Sequence, residues 1–253
     1  MKTMCEGFRE FEFALTDALL KQLIECFEDM GTSELNDENT STIPNGQGVY
    51  QLFFNNELVY IGKTDSEAGL QPRLCRHAEK IKARCNLDTA AVRFKAIQVL
   101  VFSAMELESL LIKHYSAINR KPIWNKSGFG SNDPGRKRDH SAVKDDHFDA
   151  LYSIDIDIEI EVDYEVGVNA LRALEAIKQK LPYLLRFDKR NLPKTELESC
   201  QPLELQRIGT VREHIRNVLL HLGEGWQATG LPGYIIVYKE NRSYAHGDVI
   251  AVT

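Results

Sequence analysis

Six side chains in this sequence have the types and spacing to handle an anion and a proton together. Tyr50 and Tyr60 flank an Asn55-Asn56 pair, Arg73 and His77 stand four apart, and Glu108 and Asn125 follow in that order. A guanidinium is planar, permanently charged and shaped for a phosphate. An imidazole can hydrogen-bond an anion or relay a proton near neutral pH. A single glutamate is enough for a hard cation such as Mg2+, which keeps several waters and takes few protein carboxylates. A free phenol, with a pKa near ~10, is a weak base unless a cation lowers that value. For Tyr50 the available cations are Lys63, Arg73 or a bound metal.

The elements that must hold these groups can be read locally. Residues 48–62 alternate apolar, β-branched and aromatic positions around Asn55-Asn56, a pair that tolerates the positive φ of a hairpin turn. Side chains alternate faces along such strands, so the two tyrosines can come to one end of the sheet. Residues 71–84 have helical composition, with Pro72 tolerated in the first turn. Arg73 and His77 then point from one helix face. Residues 91–102 read as a buried strand and 103–115 as a helix. Ser103 and Glu106 make a capping box, which gives Glu106 a structural task and leaves Glu108 without one.

Gly48-Val49-Tyr50, Tyr60-Ile61-Gly62, Arg73, His77, Glu108 and Asn125 together resemble the GIY-YIG nuclease superfamily over roughly residues 46–126. The resemblance implies phosphodiester hydrolysis with Mg2+ or Mn2+ held by Glu108. It gives Arg73 the transition-state charge and Tyr50 the attacking water, with Tyr60, His77 and Asn125 in support. One departure is the 17-residue step from Glu108 to Asn125. It is longer than in many members and is enlarged by Ser116 to Arg120. The run Gly128-Phe129-Gly130…Asp133-Pro134-Gly135-Arg136-Lys137-Arg138 looks like a segment of certain type II restriction endonucleases of this superfamily. That branch acts on double-stranded DNA as homodimers at short palindromes, and suggests a GC-rich target and a companion methyltransferase encoded nearby. Lys63, Arg76, Lys126, Arg136, Lys137 and Arg138 are the expected DNA contacts, Lys63 to a phosphate, and Arg136, Lys137 and Arg138 to phosphates, the blander partners, or to guanine edges in the major groove.

Charge distribution agrees with a polyanion partner. The chain of 253 residues carries a net charge of −6. Residues 71–144 nonetheless hold 15 Lys and Arg against 6 Asp and Glu, whereas residues 1–70 hold 4 against 13. A basic stripe on an acidic protein focuses a polyanion onto one face. The five cysteines form no Cys-x-x-Cys pair, so zinc ribbons and disulfide frameworks are not expected. No apolar run is long enough to span a membrane, and Met1 to Glu6 offer no signal core, so a cytoplasmic protein is expected.

The rest of the chain supplies scaffold. Residues 14–30 predict an amphipathic helix, and the polar stretch 31–47 a linker. The Gly/Pro-rich, basic stretch 126–139 reads as a loop. Residues 154–163 alternate isoleucine or valine with carboxylates, the pattern of a half-buried strand. Residues 167–180 and 210–222 read as helices, the second with a Thr210/Glu213 capping box and Gly223 as its stop. Residues 233–239 and 248–252 read as two closing strands around the turn 240–243. The expected class is α+β (α/β), with an N-terminal helical arm and linker over 1–45 and a nuclease domain with a small mixed sheet over 46–152. A C-terminal α/β region over 153–253 would dimerise, read DNA or cover the core. Two other readings remain: a nuclease of repair, mobile-element or other anti-phage type, and a non-catalytic DNA-binding protein of the same fold.

Overall fold

The computed structural model describes residues 7, 15–65, 67–100, 107–130, 133, 135–200 and 203–253. Its first sheet grows from the hairpin. Asn55 and Asn56 both carry positive φ, 51° and 66°, which turns the strand back on itself. The hairpin strands are β2 (Gly48–Phe54) and β3 (Glu57–Thr64), after β1 (Ser33–Glu34) and before β4 (Val92–Gln98). The sheet order is β1-β4-β2-β3, antiparallel throughout. β3 is therefore an edge strand.

Both faces of this sheet are covered. On one face α3 (Leu70–Lys82), Trp124, Phe129 and Phe148 pack against Tyr50, Leu52, Tyr60 and Phe94. On the other face α1 (Leu15–Asp29) and α4 (Leu107–Ala117) pack against Val49, Ile61 and Leu58. The expected linker over 31–47 instead holds β1 and a short helix, α2 (Asp37–Ser41). Capping rather than apolar periodicity makes that helix: the Asn39 amide donates to the Asn36 side chain at 2.9 Å, with Asp37 and Glu38 in the first turn. The Ser103/Glu106 capping box lies outside the described residues.

The second half has its own core and sheet. α5 (Phe148–Leu151) leads into β5 (Glu159–Glu161), α6 (Ala170–Lys180), β6 (Leu184–Phe187), α7 (Asn191–Ser199), β7 (Ile208–Thr210), α8 (Val211–Leu219), β8 (Trp226–Leu231), β9 (Tyr234–Lys239) and β10 (Asp248–Val252). The sheet order is β10-β8-β9-β6, with β6 parallel to β9. The two closing strands therefore do not pair with each other, because β8 lies between them. Residues 154–163 are strand only over Glu159–Glu161, paired with β7. Their isoleucines do face the core, but Ile156 and Ile158 give their carbonyls to the amides of Arg212 and Val211 at the start of α8. A helix N-terminus with unpaired amides has taken the place of a neighbouring strand. The Thr210/Glu213 capping box is formed, while α8 ends at Leu219, before Gly223. Cys26, Cys75, Cys85 and Cys200 are free thiols. Among the described residues no helix is long and apolar enough to cross a membrane.

Candidate active site

The tyrosine-bearing strands set the geometry. In the register of the hairpin Tyr50 faces Gly62, and Leu52 faces Tyr60. The two phenols thus share one face two positions apart, with ring centroids 6.1 Å from each other. A Cβ at position 62 would lie 2.3 Å from the Tyr50 hydroxyl oxygen, so only glycine fits beneath that phenol.

Across from the sheet, α3 presents Arg73 and His77 to the same hydroxyl. Arg73 Nε donates to the Tyr50 oxygen at 3.3 Å, and His77 Nε2 lies 2.7 Å from it. One arrangement satisfies all three groups: the phenol accepts from Arg73 and donates its only proton to His77. His77 is buried, stacked on Phe129 at 4.8 Å. Burial, then Arg73, Lys80 and Arg76, holds the His77 pKa well below the ordinary histidine range, so the ring is neutral. Burial and the neighbouring Tyr60 raise Tyr50 far above an ordinary phenol, with Arg73 pulling the other way. Tyr60 is raised too, by burial first, with Arg73 opposing and Glu108 adding to the rise.

Glu108 reaches the site from the opposite face of the sheet, in the first turn of α4. Its carboxylate is 23% exposed and lies 3.7 Å from the Lys63 ammonium. The structure therefore places Lys63 beside the carboxylate. Asn125 holds the edge strand. Its side chain accepts from the Ile61 amide and donates to the Ile61 carbonyl, both at 2.8 Å, while the Trp124 amide donates to Val59 at 2.7 Å. Residues 124 and 125 thus satisfy the outward backbone groups of β3 as a further strand would. The longer step before Asn125 is absorbed by a turn with Asn119 at φ 60°, and Arg120 pairs with Glu28 of α1 at 3.3 Å.

The Gly128-Phe129-Gly130 run lies directly on the tyrosine cluster. Phe129 meets Tyr60 edge-on at 5.0 Å, and a Cβ on Gly130 would lie 2.5 Å from the Tyr60 hydroxyl. Sequence reasoning passed over Lys80, whose ammonium donates to the Phe129 carbonyl. Its only sequence signal was helical spacing: it stands one turn beyond His77, with Arg84 a further turn on. Burial and the adjacent Arg84 pull its pKa down to about 8, with Asp149 opposing.

The other basic residues divide. A cleft of about 1000 Å³ opens beside this cluster, between α3 and the second sheet, and Arg73, Arg76, Lys80, Lys126, Arg138 and Lys144 line it. Lys137 and Arg138 are exposed. Arg136 is turned to the second sheet instead, 3.4 Å from Asp188, 3.5 Å from Glu240 and 3.9 Å above the Tyr238 ring.

Among the described residues no three His, Cys, Asp or Glu side chains converge as a metal site. A lone Glu108 at a partly open edge suits a hexahydrated-type cation that borrows oxygens from water and phosphate. Glu108 is the residue that would hold such a cation.

Residues 62–152 match the family model described as the Eco29kI GIY-YIG domain. The match takes in Arg73, His77, Glu108 and Asn125 and begins just after Tyr60. No curated protein matches the chain.

Proposed function

We propose that this chain, whose residues 62–152 match the Eco29kI GIY-YIG domain model, is a type II restriction enzyme that hydrolyses double-stranded DNA at a short palindrome in defence against foreign DNA. The observation that carries the reading is Arg73. It is half-buried, bonded to a phenol, and makes no ion pair among the described residues. A guanidinium desolvated without a carboxylate partner is an anion site waiting for its anion.

The residues then take these tasks. Arg73 stabilises the extra negative charge that develops on the phosphorus oxygens. Tyr50 fixes the Arg73 and His77 side chains. Its hydroxyl, held between both, is the group that positions the attacking water. His77, neutral and buried, accepts the Tyr50 hydroxyl's hydrogen bond and so fixes the direction of the phenol. Tyr60 and Asn125 hold β3 between Arg73 on one face of the sheet and Glu108 on the other. A divalent cation on Glu108 would supply Lewis acidity and an activated water. Lys63, 3.7 Å from Glu108, is the side chain that would meet a phosphate next to it.

The same reading brings two partners. One is a second copy of the chain, each cutting one strand of the palindrome. The other is a DNA methyltransferase encoded nearby that protects the host. The test is Glu108→Ala. It should abolish cleavage while leaving DNA affinity within about twofold, since only a metal ligand is lost. Retained cutting at saturating Mg2+ would remove Glu108 from the mechanism.

A further inference from the structure

The loop carrying Lys137 and Arg138 is tied to the second sheet at three points. Asp139 is buried, and its carboxylate takes a bidentate contact from Arg186 in β6, one arm at 3.3 Å. It also accepts from the hydroxyls of Tyr234 at 2.7 Å and Tyr238 at 3.2 Å. At the other end Asp133 lies 3.4 Å from Arg186 Nε and caps the Gly135 amide at 2.8 Å. Between them Arg136 is seated on Tyr238, Asp188 and Glu240. Asp188 is itself buried and takes a bidentate contact from Arg190 at 2.8 and 2.6 Å.

This arrangement sorts the three consecutive cations. Arg136 is neutralised on the sheet. Lys137 and Arg138 are exposed and make no side-chain hydrogen bond or ion pair among the described residues. Arg138 lines the same cleft as Arg73 and Lys126. A single turn of 3-10 helix over Arg136–Arg138 fixes their relative directions. Flexible basic side chains on a free loop would give up entropy on binding a phosphate. Here the backbone that bears them is already fixed.

We propose that the second sheet is a positioning platform. Arg186 and Asp188 act through Asp139 and Arg136 to hold Lys137 and Arg138 against DNA phosphates beside the active site. This rests on the nuclease reading above. It makes Asp139, Arg136, Arg186 and Asp188 positioning residues, and it gives residues 153–253 a task in DNA binding without a single base contact of their own.

The experiment measures affinity for a short mixed-sequence duplex across a salt series, all in the Glu108→Ala background so that no cutting occurs. Phosphate contacts are independent of sequence, so the cut site need not be known. Lys137→Ala with Arg138→Ala should weaken binding about tenfold or more and flatten the salt slope by about one to two. Asp139→Asn alone should reproduce most of that loss. Added to the Lys137→Ala, Arg138→Ala protein, it should cost no further affinity, although the thermal midpoint falls equally in both backgrounds. Arg136→Ala, at a half-exposed position, repeats the test should Asp139→Asn not fold. Full additivity would overturn the proposal, as would unchanged affinity with a lowered thermal midpoint. A Glu108→Ala protein that binds no duplex even at low salt would overturn the nuclease reading itself, an outcome distinct from additivity.

Discussion

Two arginines in this molecule sit in nearly the same company and do opposite things. Arg73 acts on two tyrosines of the first sheet, Tyr50 and Tyr60. Arg186 lies against two tyrosines of the second, 4.4 Å above the Tyr234 ring and 3.4 Å from the Tyr238 hydroxyl. The difference is carboxylate pairing, which Asp139 and Asp133 give to Arg186. Asp139 neutralises Arg186, whereas Arg73 has no anionic partner among the described residues. Phenols can accept a hydrogen bond from a guanidinium but do not cancel its charge at neutral pH. Two tyrosines and an arginine therefore make a strut when an aspartate completes them and, on the function proposed above, an anion site when nothing does.

The largest expected effect falls on the completed set. Arg186→Ala leaves the buried Asp139 charge without its partner and should destabilise the fold by about 3–5 kcal/mol, read from urea unfolding. Arg73→Ala leaves no carboxylate behind. It should change stability far less, yet slow single-turnover cleavage by about 10²–10³-fold. If Arg73→Ala unfolded the protein as readily as Arg186→Ala, or altered affinity with an unchanged rate, the two arginines would be the same kind of residue.

The smallest effect sharpens the electrostatics around Arg73. The Lys80 pKa, about 8, is lowered by burial and then by Arg84. Above that pH the folded protein has released a proton that the unfolded chain still holds. Stability should therefore rise with pH from about 8 to near ~10, where the tyrosines begin to ionise in the unfolded chain. Lys80→Met should flatten that rise in a series of urea midpoints. An unaltered slope would mean that Lys80 is charged and solvated, and that the floor of the cleft is less desolvated than its contacts indicate.

The contrast also shows what a sequence can disclose. Arg73 and His77 were legible together because a four-residue step puts both on one helix face. The Asn55-Asn56 turn and the Thr210/Glu213 capping box were legible for the same reason, that their physics is local. The Arg186 set was not, because its members are brought together from positions 133–139, 186–190 and 234–240 by strand pairing. β8 escaped notice because Trp226, Gln227, Ala228 and Thr229 are all buried, so a strand covered on both faces shows no alternation. The 154–163 pattern was legible as a buried face but not as a partner, since alternation says which side is covered and not by what. Asn125 stood in the expected order, but its bidentate hold on Ile61 depends on β3 being an edge strand, which only the assembled sheet reveals.

The measurement that bears most directly on the central claim is digestion of unmethylated phage DNA by the purified protein with Mg2+, with Glu108→Ala as control and the product ends sequenced. The account predicts discrete fragments whose ends share one short palindrome, and none from Glu108→Ala. Intact DNA, or ends with no common sequence, would contradict it.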